Sequence, residues 1–414
     1  DCLRIGIDNN LSLEGKRKEI QRSKYGVSEN RSKLLPQINA IAGYSNNFDP
    51  PVSVTDGSSY GVPYNITQTL QHSANAGLEM QMPLFNQTLY TSMSIAKVME
   101  EISRLSYGKA REDVILQISK MYYLGQVTAE QIMLIKANIT RLEELRDITQ
   151  AFFDNGMSME VDLKRVNINL ENLKVQYDNA QAMMKQQLNM LKYIMDYPAE
   201  KEIALTPVNT DSITTVALTG LSENIYELQL SQSQVQLAER QKKIITNGYI
   251  PSLSLTGSWR YAAYTDKGYH WFHSGPSNQW FRSYGVGLTL RIPIFDGLDK
   301  TYKIKKAMID IENKRLAWED ARKNLQTQYL NAVNDLMNNQ RNFKKQKDNY
   351  LLAEDVYAVT SDRYREGIAS MTEVLQDEMQ MSEAQNNYIS AHYNYRVTNL
   401  MLLKLTGQIE SLVK

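Results

Sequence analysis

The chain has 414 residues, with 46 lysines and arginines against 46 aspartates and glutamates, so it carries no formal net charge. That balance offers no basic footprint for nucleic acid. A single cysteine, Cys2, excludes a disulfide framework or multi-cysteine zinc site, and four histidines leave little for a catalytic centre. No run of eighteen or more apolar residues occurs, which excludes a transmembrane helix but not a membrane β-barrel, whose strands are short and alternate. No nucleophile-base order, P-loop or dinucleotide fingerprint is present, so neither an enzyme nor a cofactor is expected. The first residue already lies in patterned sequence, and the chain reads as a mature or trimmed form.

In chain order, a helix leads into "LLPQINAIAGY" (Leu34 to Tyr44), a strand opening just after proline. A polar loop rich in Gly, Pro, Ser and Asn follows. Next, Ala74, Ala76, Leu78, Met80, Met82 and Leu84 alternate with Ser73, Asn75, Gly77, Glu79 and Gln81, the period of a strand with one apolar face. At "MPLFN", Pro83 and Phe85 mark the junction, with Pro83 expected to end the ladder and Asn86 to cap the next helix. That helix continues for about sixty to seventy residues, roughly 100 Å. The turn "FFDNGMSMEV" (Phe152 to Val161), with Gly156, Met157 and Ser158, starts another helix whose heptads place Leu163, Leu170, Tyr177, Met184 and Leu191 on one stripe.

"YPAEKEIALTPVNTDS" (Tyr197 to Ser212) carries two prolines without helical period and reads as a linker. Thereafter the chain repeats itself. "YIPSLSLTGSW" answers the first strand, "IPIFD" with Pro293, Phe295 and the expected cap Asp296 answers the junction, "YREGIASMTEV" answers the turn, and "LLKLTG" (Leu402 to Gly407) answers "LKYIMD" (Leu191 to Asp196). Four ordered matches at a nearly constant offset define an internal duplication, with residues 1–199 and 213–414 as the repeats and 200–212 between them. In the second copy, Leu253, Leu255, Gly257, Trp259 and Tyr261 share a face, as do Tyr284, Val286, Leu288, Leu290, Ile292 and Ile294. The following helix carries Ile304, Ile311, Trp318 and Leu325, then restarts four residues on with Tyr329, Leu336, Phe343, Tyr350, Tyr357 and Tyr364. This is a stutter that locally unwinds a supercoil. The last helix repeats Val374, Met381, Tyr388, Tyr395 and Leu402, with Ala384 and Ala391 as a small-residue stripe.

A soluble sheet over a core, within a coiled-coil scaffold or periplasmic adaptor, is the alternative reading. Two features weigh against it. The residues after the strands are helical seams, leaving no second layer for the apolar faces. Aromatic residues (Tyr44, Trp259, Tyr261, Trp280, Phe281, Tyr284, Phe295) also gather near strand ends, as an interfacial girdle requires. Four lipid-facing strands cannot close a barrel, whose smallest members have about eight. Three copies would supply twelve strands, with the helices as a second barrel. His270 and His273 in "HWFH" lack a nearby carboxylate or cysteine and are read as loop residues.

The duplicated "LLPQI"/"YIPSL" and "PLFN"/"PIFDG", and the "REGIASMTEVL" turn followed by Ala384, Tyr393, Tyr395 and "LLKLTG", resemble the TolC-like outer-membrane efflux proteins over nearly the whole chain. The resemblance implies an α+β membrane fold in which a homotrimer shares a twelve-stranded barrel continued by a helical coiled-coil tunnel. It also implies a Gram-negative outer membrane with a periplasmic extension, a periplasmic adaptor, and an inner-membrane transporter of RND or ABC type. The function implied is passive exit of drugs, small molecules or proteins. Gly156, Met157 and Ser158, with Gly367, Ile368, Ala369 and Ser370, would be the tips that meet the adaptor. The family's gate pattern has a tyrosine just before the second glycine, an arginine two residues after it, and two acids one turn apart. Tyr364 matches, Ala369 stands at the arginine, Glu373 takes the first acid, and the second falls on Gln376 beside Asp377. The ion-pair lock is therefore incomplete, while a ring of Glu373 carboxylates would favour cations. The other reading of Glu373 is a solvated carboxylate near a helix start.

Overall fold

A computed structural model describes residues 1–49, 52–55, 61, 65–68, 70–207, 220–265 and 280–413. Two units are distinguished: residues 21–101 with 233–314, which hold the described strands, and residues 1–20, 102–232 and 315–414, whose described elements are helical.

In the strand-bearing unit, β1 (Gln37–Asn46), β4 (His72–Phe85), β5 (Ser252–Thr265) and β6 (Trp280–Arg291) form an antiparallel sheet in that order. The β4–β5 pair joins the two repeats, and β1 and β6 are the open edges. A short hairpin of β2 (Val52–Thr55) and β3 (Asn65–Gln68) stands within the segment expected to be only a polar loop. No buried apolar cluster among the described residues contains a residue of the four-stranded sheet.

The helices are α1 (Cys2–Asn9), α2 (Leu11–Ser32), α3 (Gln87–Asp154), α4 (Glu160–Met195), α5 (Tyr226–Asn247), α6 (Asp299–Arg365) and α7 (Met371–Leu405), closed by a 3-10 turn at Ile409–Val413. The duplication is visible in their lengths: 22 and 22 residues for α2 and α5, 68 and 67 for α3 and α6, 36 and 35 for α4 and α7. Helices of 67 and 68 residues persist because their apolar residues recur at the coiled-coil period and pack on neighbours, not because of propensity.

All five expected heptad residues of α7, from Val374 to Leu402, are buried. On α6 both Leu325 and Tyr329 are buried, so the apolar seam resumes four residues on, as the stutter requires. On α4 the expected stripe is only partly buried. A second stripe, Val166, Leu173, Ala180, Gln187 and Ile194, is wholly buried, supplying the other core position of the heptad. The largest helical core joins both repeats: Leu142 and Leu145 from α3, Leu170 and Leu173 from α4, Tyr357 and Tyr364 from α6, Val374 and Met381 from α7. Of the expected linker, residues 201–207 dock on α3, where the Gln126 amide donates to the Thr206 carbonyl at 2.8 Å; residues 208–212, like His270 and His273, lie outside the described residues.

Candidate functional site: a two-faced sheet and two helical turns

Directly opposed residues of antiparallel strands present their side chains on the same face, so the register sorts the sheet. One face reads Ile38, Ala40, Ala42 and Tyr44 on β1, then Met82, Met80, Leu78, Ala76 and Ala74 on β4. It continues with Leu253, Leu255, Gly257, Trp259, Tyr261 and Ala263 on β5, and Leu290, Leu288, Val286, Tyr284, Arg282 and Trp280 on β6. The opposite face carries Asn39, Gln81, Glu79, Asn75, Thr256, Ser258, Arg260, Thr289 and Ser283. The Arg260 guanidinium donates to the Glu79 carboxylate there, across the seam between repeats. β1, whose alternation is imperfect in sequence, takes its face from its partner, and Ile41 is the apolar residue left on the polar side.

The apolar face is exposed as a contiguous patch of the kind that marks a membrane or protein interface: Val286 is 79% exposed, Leu288 66%, Ile38 64% and Trp259 46%. From the Leu253/Leu290 row to the Ala263/Trp280 row is ten residues, about 33 Å along the strand. Tilted by about 40°, that is about 25 Å, the height of a barrel's apolar band. Aromatic residues crowd one end of this band. Tyr44 and Trp280 lie in the last row, with Tyr261, Trp259 and Tyr284 in the two before it, and Trp259 meets Tyr261 edge-on at 5.4 Å. Arg282 joins them on the apolar side but lays its guanidinium over Tyr284 at 5.9 Å, an interfacial arrangement. Phe281, expected in the girdle, falls on the polar face because it pairs with Ala262.

The two junctions differ. β4 continues through Pro83 to Phe85, its ladder shifted by an irregularity between them, so Pro83 bends pairing without ending it. Asn86 caps α3 as expected, its Oδ1 accepting from the Thr88 and Leu89 amides at 3.0 and 3.3 Å. In the second repeat β6 stops at Arg291, leaving Ile292, Pro293, Ile294 and Phe295 outside the sheet, with Ile294 94% exposed. The helix then starts at Asp299. Asp296 is therefore not the residue preceding the helix, yet its carboxylate accepts from the Lys300 amide at 3.2 Å and pairs with the Lys300 ammonium at 3.0 Å.

At the turns, Gly156 (φ 72°) and Gly367 (φ 75°) adopt the left-handed conformation that lets the next amide return to the helix end. The Met157 amide donates to the Phe152 carbonyl at 2.7 Å, and that of Ile368 to Arg363 at 2.8 Å. Met157 and Ile368 are 68% and 62% exposed, so both turns present an apolar residue to their surroundings. Ser158 donates to the Thr149 carbonyl at 3.3 Å, and Ala369 packs against the core shared by the four long helices. Ser370 caps α7 in a reciprocal box. Its hydroxyl accepts from the Glu373 amide at 3.3 Å, and its amide donates to the Glu373 carboxylate at 2.8 Å. The Ser370 amide, then its hydroxyl, hold the Glu373 carboxyl below the usual range. Gln376 is exposed and Asp377 half-buried on the following turn. Tyr364 is buried in the core, 5.6 Å from the Phe152 ring, and its hydroxyl donates to Thr149 Oγ1 at 3.3 Å.

Sequence reasoning passed over a polar series inside the helical core: Glu130, Asn138 and Arg141 on α3, with Glu378, Gln385 and His392 on α7. The signal was available as a seven-residue repeat of polar residues adjoining the apolar stripe. Among the described residues no cluster of three or more histidines, cysteines, aspartates or glutamates could hold a metal, and no helix is long and apolar enough to cross a membrane.

A two-faced open sheet whose strands run into very long coiled-coil helices defines a barrel-forming class of membrane protein. The model of the family described as outer membrane efflux protein matches residues 6–195 and 217–408, and the chain belongs to that family. The two matched segments correspond to the two repeats of the fold. The outer membrane protein TolC of Vibrio cholerae serotype O1 is 21% identical over 399 residues, covering 92% of this chain and 84% of that protein. Among solved structures, CusC superposes with a TM-score of 0.82 at 16% identity, covering 98% of this chain and 91% of the other. The Vibrio cholerae outer membrane protein VceC gives 0.77 at 14%, covering 98% and 95%.

Proposed function

We infer that this protein is the exit duct of a multicomponent efflux or type I secretion system in a Gram-negative outer membrane. It conducts drugs, small molecules or proteins passively and performs no covalent chemistry. One observation carries the reading: a four-stranded sheet with one continuous apolar face which, among the described residues, has nothing packed on it and two unpaired edges. In lipid no backbone amide can be left without a partner, so such a sheet exists only as part of a closed cylinder. Four strands are too few. Pairing β6 of one copy with β1 of the next closes the barrel, and three copies make twelve strands, turning Glu79 and Arg260 toward an aqueous lumen.

The long helices support the same assembly. α4 exposes Val161, Ile168 and Val175 at seven-residue spacing, and α6 exposes Tyr302, Ile309, Leu316, Leu330, Met337 and Leu351 on another such stripe. Two unpartnered coiled-coil seams of matching period on one chain suit a head-to-tail interface that closes a ring. The partners of this reading are two further copies, outer-membrane lipid, a periplasmic adaptor and an inner-membrane transporter of RND or ABC type. The adaptor would meet the turns at Gly156–Ser158 and Gly367–Ser370, where Met157 and Ile368 stand free. Repeats at 1–199 and 213–414, linked by 200–212, organise the protomer. Glu373, Gln376 and Asp377, on the first two turns of α7 beyond Tyr364, form the candidate gate.

The decisive experiment purifies the full chain from membranes and measures detergent-corrected mass and planar-bilayer conductance. A trimer that conducts, and dissociates only on heating, is the expected result. A detergent-free soluble monomer without conductance would overturn the duct. For the gate, Glu373→Ala is expected to lower cation preference; unchanged selectivity would remove Glu373 from that role.

A further inference from the structure

The helical unit holds an ionisable group that none of these roles uses. Three positions of α7 spaced by seven residues, Glu378, Gln385 and His392, are only 4%, 4% and 0% exposed although each is polar. Two of them face polar groups of α3, one of them through hydrogen bonds. Gln385 and Asn138 exchange hydrogen bonds at 2.7 and 3.4 Å, whereas His392 Nδ1 lies 3.4 Å from the Glu130 carboxylate without a hydrogen bond and its Nε2 accepts from Arg396 at 2.9 Å. Glu378 is not answered: one of its carboxylate oxygens is buried without a hydrogen-bond partner.

The groups around it explain why. From α3 the facing cation is Arg141, but Glu354 of α6 holds its guanidinium at 2.6 Å, and the rest of that guanidinium reaches Asn138 and the Met381 sulfur. From α6 come the neutral Tyr357 phenol and, further along, Arg365, which pairs with Asp362 and Glu144. α4 contributes Val166, Leu170 and Leu173 to the same cluster. On α7 itself the neighbouring acids are Glu373 and Asp377, which add no positive charge. Desolvation alone pushes the Glu378 carboxyl up to about 7, and burial together with the Glu378 charge pushes Tyr357 up to about 12.

We propose that Glu378 is a proton-operated latch: neutral, it packs into the seam between α7 and helices α3 and α6, and ionised, it is an uncompensated buried charge that loosens α7. The sign follows from linkage. The folded protein binds this proton more tightly than the unfolded chain, so the seam is firmest below the ordinary carboxyl value of 4.5. Its stability falls as pH rises toward about 7 and is level above that. The proposal concerns packing inside the helical unit and stands or falls separately from the duct.

The test is hydrogen–deuterium exchange of the purified oligomer at pH 5.5 and 8.5, corrected for intrinsic exchange and read on peptides spanning residues 371–389. Wild type should lose protection more than tenfold at the higher pH, a window set by the shift. Glu378→Gln should stay protected at both values, and Glu378→Leu, which fills the apolar cluster without titrating, should do the same. Glu112→Gln, which removes a different buried carboxyl also pushed up to about 7, should retain the wild-type response. A wild type with no pH response, or a response that persists in both Glu378 variants, overturns the proposal.

Discussion

Replacing Val286 by arginine separates a lipid-facing sheet from a water-facing one, because the two environments predict effects of different size. Val286 is 79% exposed and pairs with Gly257, so the new side chain displaces no internal contact. On a sheet in water such a substitution is worth no more than about 0.5 kcal/mol. The Gly257/Val286 row is the third of six between Leu253/Leu290 and Ala263/Trp280, hence near mid-membrane, where an arginine on the lipid face costs about 2–4 kcal/mol. In a three-copy barrel the loss is about 6–12 kcal/mol, similar to the entire stability of an ordinary domain. Val286→Arg is therefore expected to abolish the heat-resistant oligomer in lipid vesicles, measured by gel shift and urea titration. Thr289→Arg, on the opposite face of the same strand, is the control and should stay within about 0.5 kcal/mol. A neutral Val286→Arg, or a Thr289→Arg equally damaging, would refute the assignment of faces.

Four further outcomes follow from the helices. Gln385→Leu strands the buried Asn138 amide and should cost about 1–3 kcal/mol by denaturation of the oligomer, whereas Asn138→Leu with Gln385→Leu should recover most of that loss. Ser370→Ala removes the α7 cap and should lower local stability by about 1 kcal/mol, read as faster amide exchange in residues 371–376. Because hydrogen bonds hold the Glu373 carboxyl below its usual range, its share of that cap is full above the ordinary carboxyl value and should fade only as pH drops below it, visible in the same peptides under acid. Ile168→Glu or Ile309→Glu, each on an exposed heptad stripe, should shift the detergent-corrected mass from trimer toward monomer without changing the helix content measured by circular dichroism.

How much of this was legible in the chain depends on whether neighbours in sequence decide the outcome. The alternation of Leu253 to Tyr261 and of Tyr284 to Leu290 needs only the period of a strand, and the stutter from Leu325 to Tyr329 only the period of a helix. The capping role of Asn86 is likewise local. What escaped is set by partners distant in the chain. Ile38 to Tyr44 become an apolar face because β4 fixes their register. Phe281 joins the polar side because it pairs with Ala262. The second buried stripe of α4 contains Gln187, and that of α7 contains Glu378, Gln385 and His392, polar residues that read as solvent-facing until another helix covers them. Tyr364 was legible as a special position before the turn; its burial against Phe152 and Thr149 depends on α3.

The unequal junctions show how a duplicated sequence builds two different entrances to the same kind of helix. In the first repeat the strand carries its pairing past Pro83 to Phe85, and one residue, Asn86, separates ladder from helix. In the second, β6 is an edge with no strand beyond it among the described residues, and its ladder stops at Arg291, ahead of Pro293. The chain then turns through Gly297 and Leu298, both left-handed at φ 67° and 68°, a conformation that costs leucine about 1–2 kcal/mol. Asp296 offsets part of that by accepting from the Lys300 amide and ammonium. A strained, exposed apolar connector beside an open edge is what a neighbouring copy would be expected to cover. If β1 of that copy pairs with β6, amide exchange in residues 280–291 should be slow in the oligomer and fast in a monomer produced by Ile309→Glu. Equal exchange in both states would mean that β6 is not the strand through which copies join.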